Sequence, residues 1–251
     1  MVTNITCKLF FSLIFVFSSL LAQDVEMQRF HICTVASDST PGLQRLLDSC
    51  ERLGIEIDVL GLGKPYRSNI EKIRYIRNYV KEMPGDDVVL FLDGYDTLVL
   101  ADKEAILQKF LAFNVPFVIS TERICWPLVD LADQFPISPT SFRYINSGVM
   151  IGYVKSIKHI FNGINLVTRI RSDQSLLSTY FLNNNNFFCL DYFSELSLSL
   201  FGINGNEIEF DYENKSVRCL ETNSFPCIIH DNGPTTGEIY DKVYEMLFPN
   251  N

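Results

Sequence analysis

Several common functional signatures are missing from this sequence of 251 residues. It contains no Cys-x-x-Cys pair, which disfavours a zinc site, and no P-loop. No third glycine opens a helix after residues 61–63 (GLG), so this stretch is not a dinucleotide fingerprint. The His-x-Asp pair of iron oxygenases and the Gly-x-Ser-x-Gly elbow of serine hydrolases are also absent. These absences argue against the corresponding classes of protein.

Basic residues are also in short supply. Lys and Arg together number 21 against 30 Asp and Glu, and the formal net charge is −9. A nucleic-acid-binding surface needs clustered positive charge. The acidic balance therefore argues against nucleic acid as a partner, although it carries little information about the fold.

Long apolar runs are confined to the N-terminus. Residues from Leu9 to Leu21 are apolar apart from serines, Lys8 precedes them, and Ala22 supplies a small residue for cleavage. This pattern predicts a secretory signal peptide over residues 1–22. The alternative, a membrane anchor, would need a run of about 20 apolar residues. We expect one domain over residues 23–251, without a membrane span, in the endoplasmic reticulum lumen or secreted.

The cysteines leave two interpretations open. Cys7 would be lost with the signal peptide. The remaining six are Cys33, Cys50, Cys125, Cys189, Cys219 and Cys227. An even number in a secreted chain predicts disulfides, and Cys219 and Cys227 flank a turn-like stretch that they could cross-link. Some could instead be buried thiols. Asn214 begins a sequon that could carry a glycan.

The most informative stretch is an apolar run from Val88 to Leu92 that leads directly into two acids, Asp93 and Asp96. A continuous apolar run of this length is typical of a buried parallel strand. Open α/β sheets place their ligand sites at the C-terminal ends of such strands. Two carboxylates on a tight turn could share Mn²⁺ or Mg²⁺. They could equally be local caps of an Asp-Gly turn.

The rest of the chain alternates between strands and helices. Strands are predicted at 30–36, 55–60, 88–92, 117–120 and 151–154. Helices are predicted at 41–53, around 73–80, at 102–112, from about 156, from 173 after a Ser172 cap, and after 236. This alternation predicts a parallel sheet with helical crossovers. We find no internal repeat or linker that would divide the chain.

A set of short motifs occurs in a recognisable order. They are residues 34–37 (TVAS), 93–96 (DGYD), 125–127 (CWP), 146–148 (NSG) with 151–153 (IGY), 172–174 (SDQ), 190–191 (LD) and 230–234 (HDNGP). Each motif is weak alone, but the ordered set resembles the N-terminal glycosyltransferase domain of the multifunctional procollagen lysyl hydroxylases. The resemblance covers about residues 29 to 236 and does not include that family's hydroxylase half.

This resemblance implies an α/β protein with a GT-A type glycosyltransferase fold, in which helices flank a mostly parallel central sheet. It also implies a UDP-sugar donor and Mn²⁺ as cofactor. The reaction expected from it is transfer of glucose or galactose from UDP-glucose or UDP-galactose. The acceptor would be a hydroxylysine-linked group in a collagen-like chain.

By position, the resemblance implies that Asp93, Asp96 and His230 hold the metal. It assigns Trp126 to the sugar pocket and places Asp173 opposite the transferred sugar. A divalent ion would neutralise the charge that develops on the UDP leaving group. A carboxylate on the sugar side could stabilise positive character there or orient the acceptor hydroxyl.

The donor site implied by the resemblance has two parts. Its residues are Val35, Ser37, Lys72, Asp93, Tyr95, Asn232 and Gly233. Tyr95 would stack on uracil, with Val35 and Ser37 lining the uridine pocket. Lys72, Asn232 and Gly233 would approach the diphosphate.

Four of these residues have purely structural alternatives. His230 follows an apolar stretch and could be a core histidine, and Trp126 could be a core aromatic. Asp173 could simply be a first-turn acid that favours the helix dipole. Lys72 could be a solvated residue on a helix surface.

One departure from the family pattern lies in a segment expected to affect sugar transfer. The family has a run of acids before the Asp-Gln pair, whereas here residues 169–172 (RIRS) precede Asp173. Two hypotheses therefore stay open. The chain is an active glycosyltransferase, or it is a UDP-sugar-binding relative with little activity that serves as a partner subunit.

Overall fold

A computed structural model describes residues 29–166, 170, 172–184 and 188–249. The predicted signal peptide at 1–22 lies outside the described residues. Across the described ranges, no helix has the length and apolar character that a membrane span requires.

The strands within the described residues run in the following order. They are β1 (Phe30–Val35), β2 (Asp58–Leu60), β3 (Val88–Asp93), β4 (Thr97–Val99), β5 (Phe117–Glu122), β6 (Tyr144–Tyr153), β7 (Cys189–Leu190), β8 (Ser197–Ser199), β9 (Ile208–Asp211), β10 (Ser216–Cys219) and β11 (Ile228–His230). The α-helices are α1 (Pro41–Glu51), α2 (Ile70–Val80), α3 (Lys103–Ala112), α4 (Val154–Gly163), α5 (Asp173–Asn183) and α6 (Glu238–Leu247).

The central sheet has six described strands in the order β2-β1-β3-β6-β5-β7. The strand β6 runs antiparallel to both β3 and β5, while the β1–β2, β1–β3 and β5–β7 pairs are parallel. Five of these strands therefore share one direction, and their C-terminal ends meet at one edge. The predicted fold class, a mostly parallel sheet flanked by helices, is confirmed.

Local sequence explains where several helices begin. At the start of α1, the Thr40 hydroxyl accepts a hydrogen bond from the Leu43 amide, and Pro41 follows with a backbone angle that suits a helix. Asp102 caps α3 through the Ala105 amide. The predicted Ser172 cap of α5 is confirmed, because its hydroxyl accepts from the amide of Ser175.

The core has a layer on each face of the central sheet. Along β3, Val89 and Phe91 pack with α2, α4 and α5, whereas Leu90 and Leu92 pack on the other face with α1 and α3. This period of two buries the strand on both sides, as its apolar sequence predicts. A third cluster lies between α6 and a small sheet ordered β4-β11-β8.

Two predicted strands have different limits in the structure. The strand predicted at 55–60 is ordered as a strand at Asp58–Leu60 only. The strand predicted at 151–154 begins seven residues earlier, at Tyr144, and includes the polar residues 146–148. Four residues of β6 bulge opposite Ser120, because Ile119 pairs with Met150 and Thr121 with Ile145. Such bulges aim side chains away from the regular ladder and are common beside active sites.

The predicted disulfides are wrong for the described residues, where all six cysteines are free thiols. Cys219 and Cys227, the expected hairpin pair, lie in different core clusters. Cys219 belongs to the cluster under α6, whereas Cys227 packs with α1 and α3. Each thiol is thus a small apolar core residue, which is the alternative that the sequence left open.

Candidate active site

A cleft of about 520 Å³ opens where the central sheet meets the small sheet. It joins a recess of about 160 Å³ beside the ends of β1 and β3. The two share Asn69, Lys72, Asp93 and Asp96 in their walls. All of the residues that the sequence assigned to the site line the cleft or the recess.

The turn after β3 is held tightly against β1. A Cβ atom at Gly94 would lie 2.9 Å from the Thr34 hydroxyl and 2.9 Å from the Val35 carbonyl oxygen, so only glycine fits there. The Thr97 hydroxyl donates to the Asp93 carbonyl at 2.6 Å. These contacts fix the backbone that carries the two turn carboxylates.

His230 reaches this turn from the small sheet. It is the last residue of β11, where it pairs with Thr97 of β4, and the Asp231 amide donates to the Asp96 carbonyl at 2.8 Å. The His230 Nε2 atom lies 3.5 Å from Asp96 Oδ1 and 3.8 Å from Asp93 Oδ2. His230 as a whole is 2 % exposed.

A glycine of the β6 bulge provides the space for this ring. A Cβ atom at Gly148 would lie 2.0 Å from His230 Cε1. The Gly148 amide donates to Asn146 Oδ1, and the Ser120 hydroxyl donates to the Asn146 carbonyl, both at 2.9 Å. The bulge therefore forms a fixed, side-chain-free surface against which the imidazole lies.

The three titratable groups at the turn affect one another. Burial raises the pKa of Asp93, with a further contribution from Asp96, although Lys72 opposes the shift. Burial would raise the pKa of Asp96 too, but the adjacent His230 holds it below its ordinary value. Burial acts to lower the pKa of His230, yet the Asp96 carboxylate raises it overall. The cluster thus attracts positive charge.

The donor set of this cluster fits a divalent ion. One ligand atom from each of Asp93, Asp96 and His230 lies within 4.8 Å of the others. Two carboxylates and one imidazole are ordinary ligands for Mn²⁺ and related ions. The open cleft beside them leaves room for ligands from a bound substrate.

Lys72 connects this cluster to the far wall of the cleft. Its Nζ atom lies 2.8 Å from Asp93 Oδ1 and 2.8 Å from Asp173 Oδ2. Lys72 is 7 % exposed, so it is not a solvated helix residue, and Asp173 is 2 % exposed. The two carboxylates hold the pKa of Lys72 above its ordinary value despite burial, and the lysine stays charged.

The recess contains the residues assigned to the uridine pocket. The Tyr95 hydroxyl accepts hydrogen bonds from the Ser37 amide at 2.9 Å and the Asp38 amide at 3.1 Å. These bonds fix the ring while it remains 40 % exposed. Val35 and Ser37 line the same recess.

The chain matches the family model described as the PLOD GT domain over residues 26–241. The chain belongs to the PLOD GT domain family. Within this family of glycosyltransferase domains, the cleft and recess are the candidate active site.

Relatives of this family domain are found among multifunctional enzymes. The chain is 27% identical over 231 residues to the human "Multifunctional procollagen lysine hydroxylase and glycosyltransferase LH3", covering 84% of this chain and 30% of that protein. It is 30% identical to the Caenorhabditis elegans "Multifunctional procollagen lysine hydroxylase and glycosyltransferase", covering 83% of this chain and 31% of that protein. The chain therefore spans about a third of the length of these relatives.

A solved glycosyltransferase structure shows a weaker similarity. It is described as a "glycosyltransferase involved in the glycosylation of the major capsid of PBCV-1". The TM-score is 0.47 at 12% identity, with coverage of 85% of this chain and 99% of that chain. A similarity of this size supports no inference about the site.

The remaining assigned residues of the PLOD GT domain lie on two walls of the cleft. Trp126 is 64 % exposed, which rules out the core alternative, and its carbonyl accepts from Gln174 Nε2 at 2.5 Å. Asn232 also lines the cleft, and its Oδ1 atom accepts from the Phe201 amide at 3.1 Å. Gly233 follows with a positive φ of 75°, which lets the chain turn at the cleft edge.

Sequence reasoning missed Glu122, a buried carboxyl at the C-terminal end of β5. Its Oε1 atom accepts from Gln174 Nε2 at 2.6 Å, and its Oε2 atom accepts from Asn232 Nδ2 at 2.7 Å. Burial raises the pKa of Glu122 to about 7, against the effect of these donors. Glu122 thereby joins the wall that carries Asp173 to the wall that carries Asn232.

Proposed function

We propose that this chain transfers glucose or galactose from a UDP-sugar to a hydroxylysine-linked acceptor in collagen-like chains. The observation that carries the proposal is the convergence of Asp93, Asp96 and His230 at the junction of the cleft and the recess. The recess suits a nucleoside, and the cleft suits a hexose and its acceptor.

In this proposal, Asp93, Asp96 and His230 would hold Mn²⁺, which would supply positive charge to neutralise the diphosphate leaving group. Tyr95 stacks on uracil, and Val35 and Ser37 line the uridine pocket. Family membership and the donor chemistry of the cluster support this assignment.

The remaining residues act on the diphosphate and the sugar. Lys72 contributes positive charge near the diphosphate, which Asn232 and Gly233 also approach. Asp173 stabilises positive character at the sugar or orients the acceptor hydroxyl, while Trp126 shapes the sugar pocket. The Lys72–Asp173 ion pair holds the Asp173 carboxylate in a fixed position.

We further propose that the protein works in the endoplasmic reticulum lumen or outside the cell. The predicted signal peptide and the family of its relatives support this location. The sequon residue Asn214 is exposed in the turn between β9 and β10, where a glycan could be added. Peptide mass mapping of the secreted protein would detect that glycan.

A second function is favoured by one observation. Ser172, which stands where the family has an acid, is used as the N-cap of α5. A cleft with one acid in this region could bind a UDP-sugar yet transfer it poorly. The chain would then act as a nucleotide-sugar-binding partner subunit.

Mass spectrometry of hydroxylysine peptides separates these functions. The peptides are incubated with the protein, Mn²⁺ and UDP-glucose or UDP-galactose, with galactosylated peptides as a second acceptor. A hexose mass increase that requires both donor and protein supports the transferase. Firm UDP binding without any hexose addition would support the partner subunit instead.

A further inference from the structure

The imidazole of His230 has one ring nitrogen that the cluster does not use. Its Nε2 atom faces the carboxylates of Asp93 and Asp96. Its Nδ1 atom is buried and has no hydrogen-bond partner among the described residues. A metal-bound histidine almost always donates a hydrogen bond through its other nitrogen, which fixes the tautomer and the ring orientation. His230 therefore needs an acceptor on its Nδ1 side.

The neighbouring strand places a hydroxyl at the right register position. β8 lies parallel to β11, with Ser199 paired to His230 and Ser197 paired to Ile228. Side chains at paired positions of adjacent strands project from the same face and lie side by side. Ser199 is 1 % exposed, and its Oγ atom also lacks a partner among the described residues. Two buried polar groups without partners are thus neighbours.

We propose that Ser199 is a positioning residue for the metal ligand His230. Because neither atom has a hydrogen-bond partner among the described residues, its hydroxyl accepts from His230 Nδ1–H through one buried water or after rotation of the serine side chain. This bond places the proton on Nδ1 and leaves the Nε2 lone pair facing the carboxylates. The inference rests on the proposed metal site and adds to it the group that selects the histidine tautomer.

The surrounding contacts hold β8 and β11 in this register. The buried Asp191 carboxylate, at the end of β7, accepts hydrogen bonds from the amides of Glu195, Leu196 and Ser197 at 2.9, 2.9 and 3.1 Å. After β8, the Leu200 amide donates to the His230 carbonyl at 2.9 Å. Ser199 therefore has a fixed position relative to the imidazole.

Gly148 also packs against the ring, so close that a Cβ atom would be 2.6 Å from His230 Nδ1. The imidazole therefore contacts a backbone without a side chain at this position. An apolar replacement of Ser199 would leave Nδ1–H buried without this acceptor, which weakens the hold on the ring orientation.

The chain offers a closely matched pair of variants. Ser199→Ala removes the proposed acceptor. Ser197→Ala makes the same chemical change on the same strand, and its Oγ atom is likewise buried and without a partner among the described residues. Its register partner is Ile228, which has no polar side chain. Any difference between the variants reports on the position opposite His230.

The first measurement is the affinity for Mn²⁺ without nucleotide. The electron paramagnetic resonance signal of free Mn²⁺ monitors the titration. We expect Ser199→Ala to bind Mn²⁺ about 10- to 100-fold more weakly than wild type, as for other outer-shell partners. Ser197→Ala should stay within about twofold. Wild-type affinity in Ser199→Ala, or equal losses in both variants, would overturn the proposal.

Nitrogen-15 NMR of the histidines gives a second readout that does not depend on activity. The chain has three histidines. The signal that disappears in His230→Asn is assigned to His230. With Zn²⁺ as a diamagnetic probe, the His230 Nδ1–H proton should be visible in wild type and Ser197→Ala. It should be lost to solvent exchange in Ser199→Ala, and its persistence there would contradict the inference.

The same data distinguish failure of this inference from failure of the proposed function. If wild type does not bind Mn²⁺ at all, the metal site itself is wrong, and the role of Ser199 falls with it. If wild type binds Mn²⁺ and Ser199→Ala binds equally well, only the positioning role is wrong.

Discussion

Asp173 is a residue at which charge and shape can be tested separately. Replacement by Asn keeps its shape, and Lys72 would retain Asp93 as an ion-pair partner. Because the charge is proposed to act in the transition state, Asp173→Asn should bind UDP and Mn²⁺ within about threefold of wild type. Transfer should fall about 10²-fold or more. Calorimetry and steady-state transfer rates measure the two effects.

Asp87→Asn is a suitable control for that variant. Asp87 is also buried, and it accepts hydrogen bonds from the Arg29 amide and from His31 at the far end of the sheet. The Asp87→Asn variant should be less stable than wild type, but its turnover should not fall as that of Asp173→Asn does. If Asp173→Asn kept full activity, Asp173 would be only a first-turn acid of α5.

Glu122 predicts a pH dependence of stability in the metal-free protein. Its pKa is raised by burial from 4.5 to about 7, so the folded state keeps a proton that the unfolded state releases. The contribution of Glu122 to the free energy of unfolding is complete below about pH 4.5. It falls by up to about 3 kcal/mol as the pH rises through 7. Denaturant unfolding of Glu122→Gln should lack this loss. An unchanged pH slope would contradict the prediction.

Glu207 provides a control of opposite sign. Hydrogen bonding to Arg123 lowers the pKa of Glu207 to about 2, so its contribution is present at neutral pH and is lost as the pH falls. Glu207→Gln should therefore reduce the loss of stability in acid. It should not remove the change between pH 4.5 and 7.

The contrast between Asp93 and Glu122 shows what sequence reasoning can find at this scale. Both acids end buried strands whose C-terminal ends lie at the site. The sequence indicates Asp93 because a glycine, an aromatic and a second acid follow it directly. Glu122 is followed by Arg123, and its importance comes from hydrogen bonds to Gln174 and Asn232, which are remote in sequence. The position of Glu122 at the C-terminal end of an apolar strand is the feature of the sequence that could have indicated it.

Among the elements, helix α5 carries the departure from the family pattern at its N-cap. Ser172 caps the helix through the Ser175 amide and lines the cleft. Asp is as good an N-cap as Ser, so Ser172→Asp should leave the unfolding temperature nearly unchanged. If the missing acid limits transfer, the variant should raise the transfer rate above wild type.

Ser172→Asn is the matched control, since it keeps a capping side chain without adding charge. It should leave the transfer rate at the wild-type level. An equal rise in both variants would point to cap geometry, and no rise in either would leave the departure unexplained by charge.

The limits of β6 could not be predicted from hydropathy. Residues 146–148 are polar and are followed by an apolar run, which favours a loop before a strand. In the structure they belong to β6 because its bulge turns them toward Ser120 and His230. Their partners come from β5, from Gln174 of α5 and from β11. The alternation of strands and helices predicted β1, β2, β3 and β5 of the central sheet, but not the antiparallel direction of β6.

At the scale of the whole molecule, the six described cysteines test the absence of cross-links. Burial raises the pKa of Cys50 to about 12 and that of Cys227 to about 11, so these thiols react slowly in the native state. Titration of the protein in denaturant without reductant should find all six. A smaller count would contradict the structure. The even number of cysteines could not predict this result, because pairing depends on which core cluster each thiol occupies.

The central claim concerns the whole assembly of cleft, recess and ligand cluster, and UDP binding tests it most directly. Calorimetric titration of wild type and of Asp93→Ala, Asp96→Ala and His230→Asn is carried out with Mn²⁺ or with a chelator. The account predicts that wild type binds UDP only with Mn²⁺ and that each variant loses most of this binding. Equal affinity of wild type for UDP in Mn²⁺ and in chelator would contradict it.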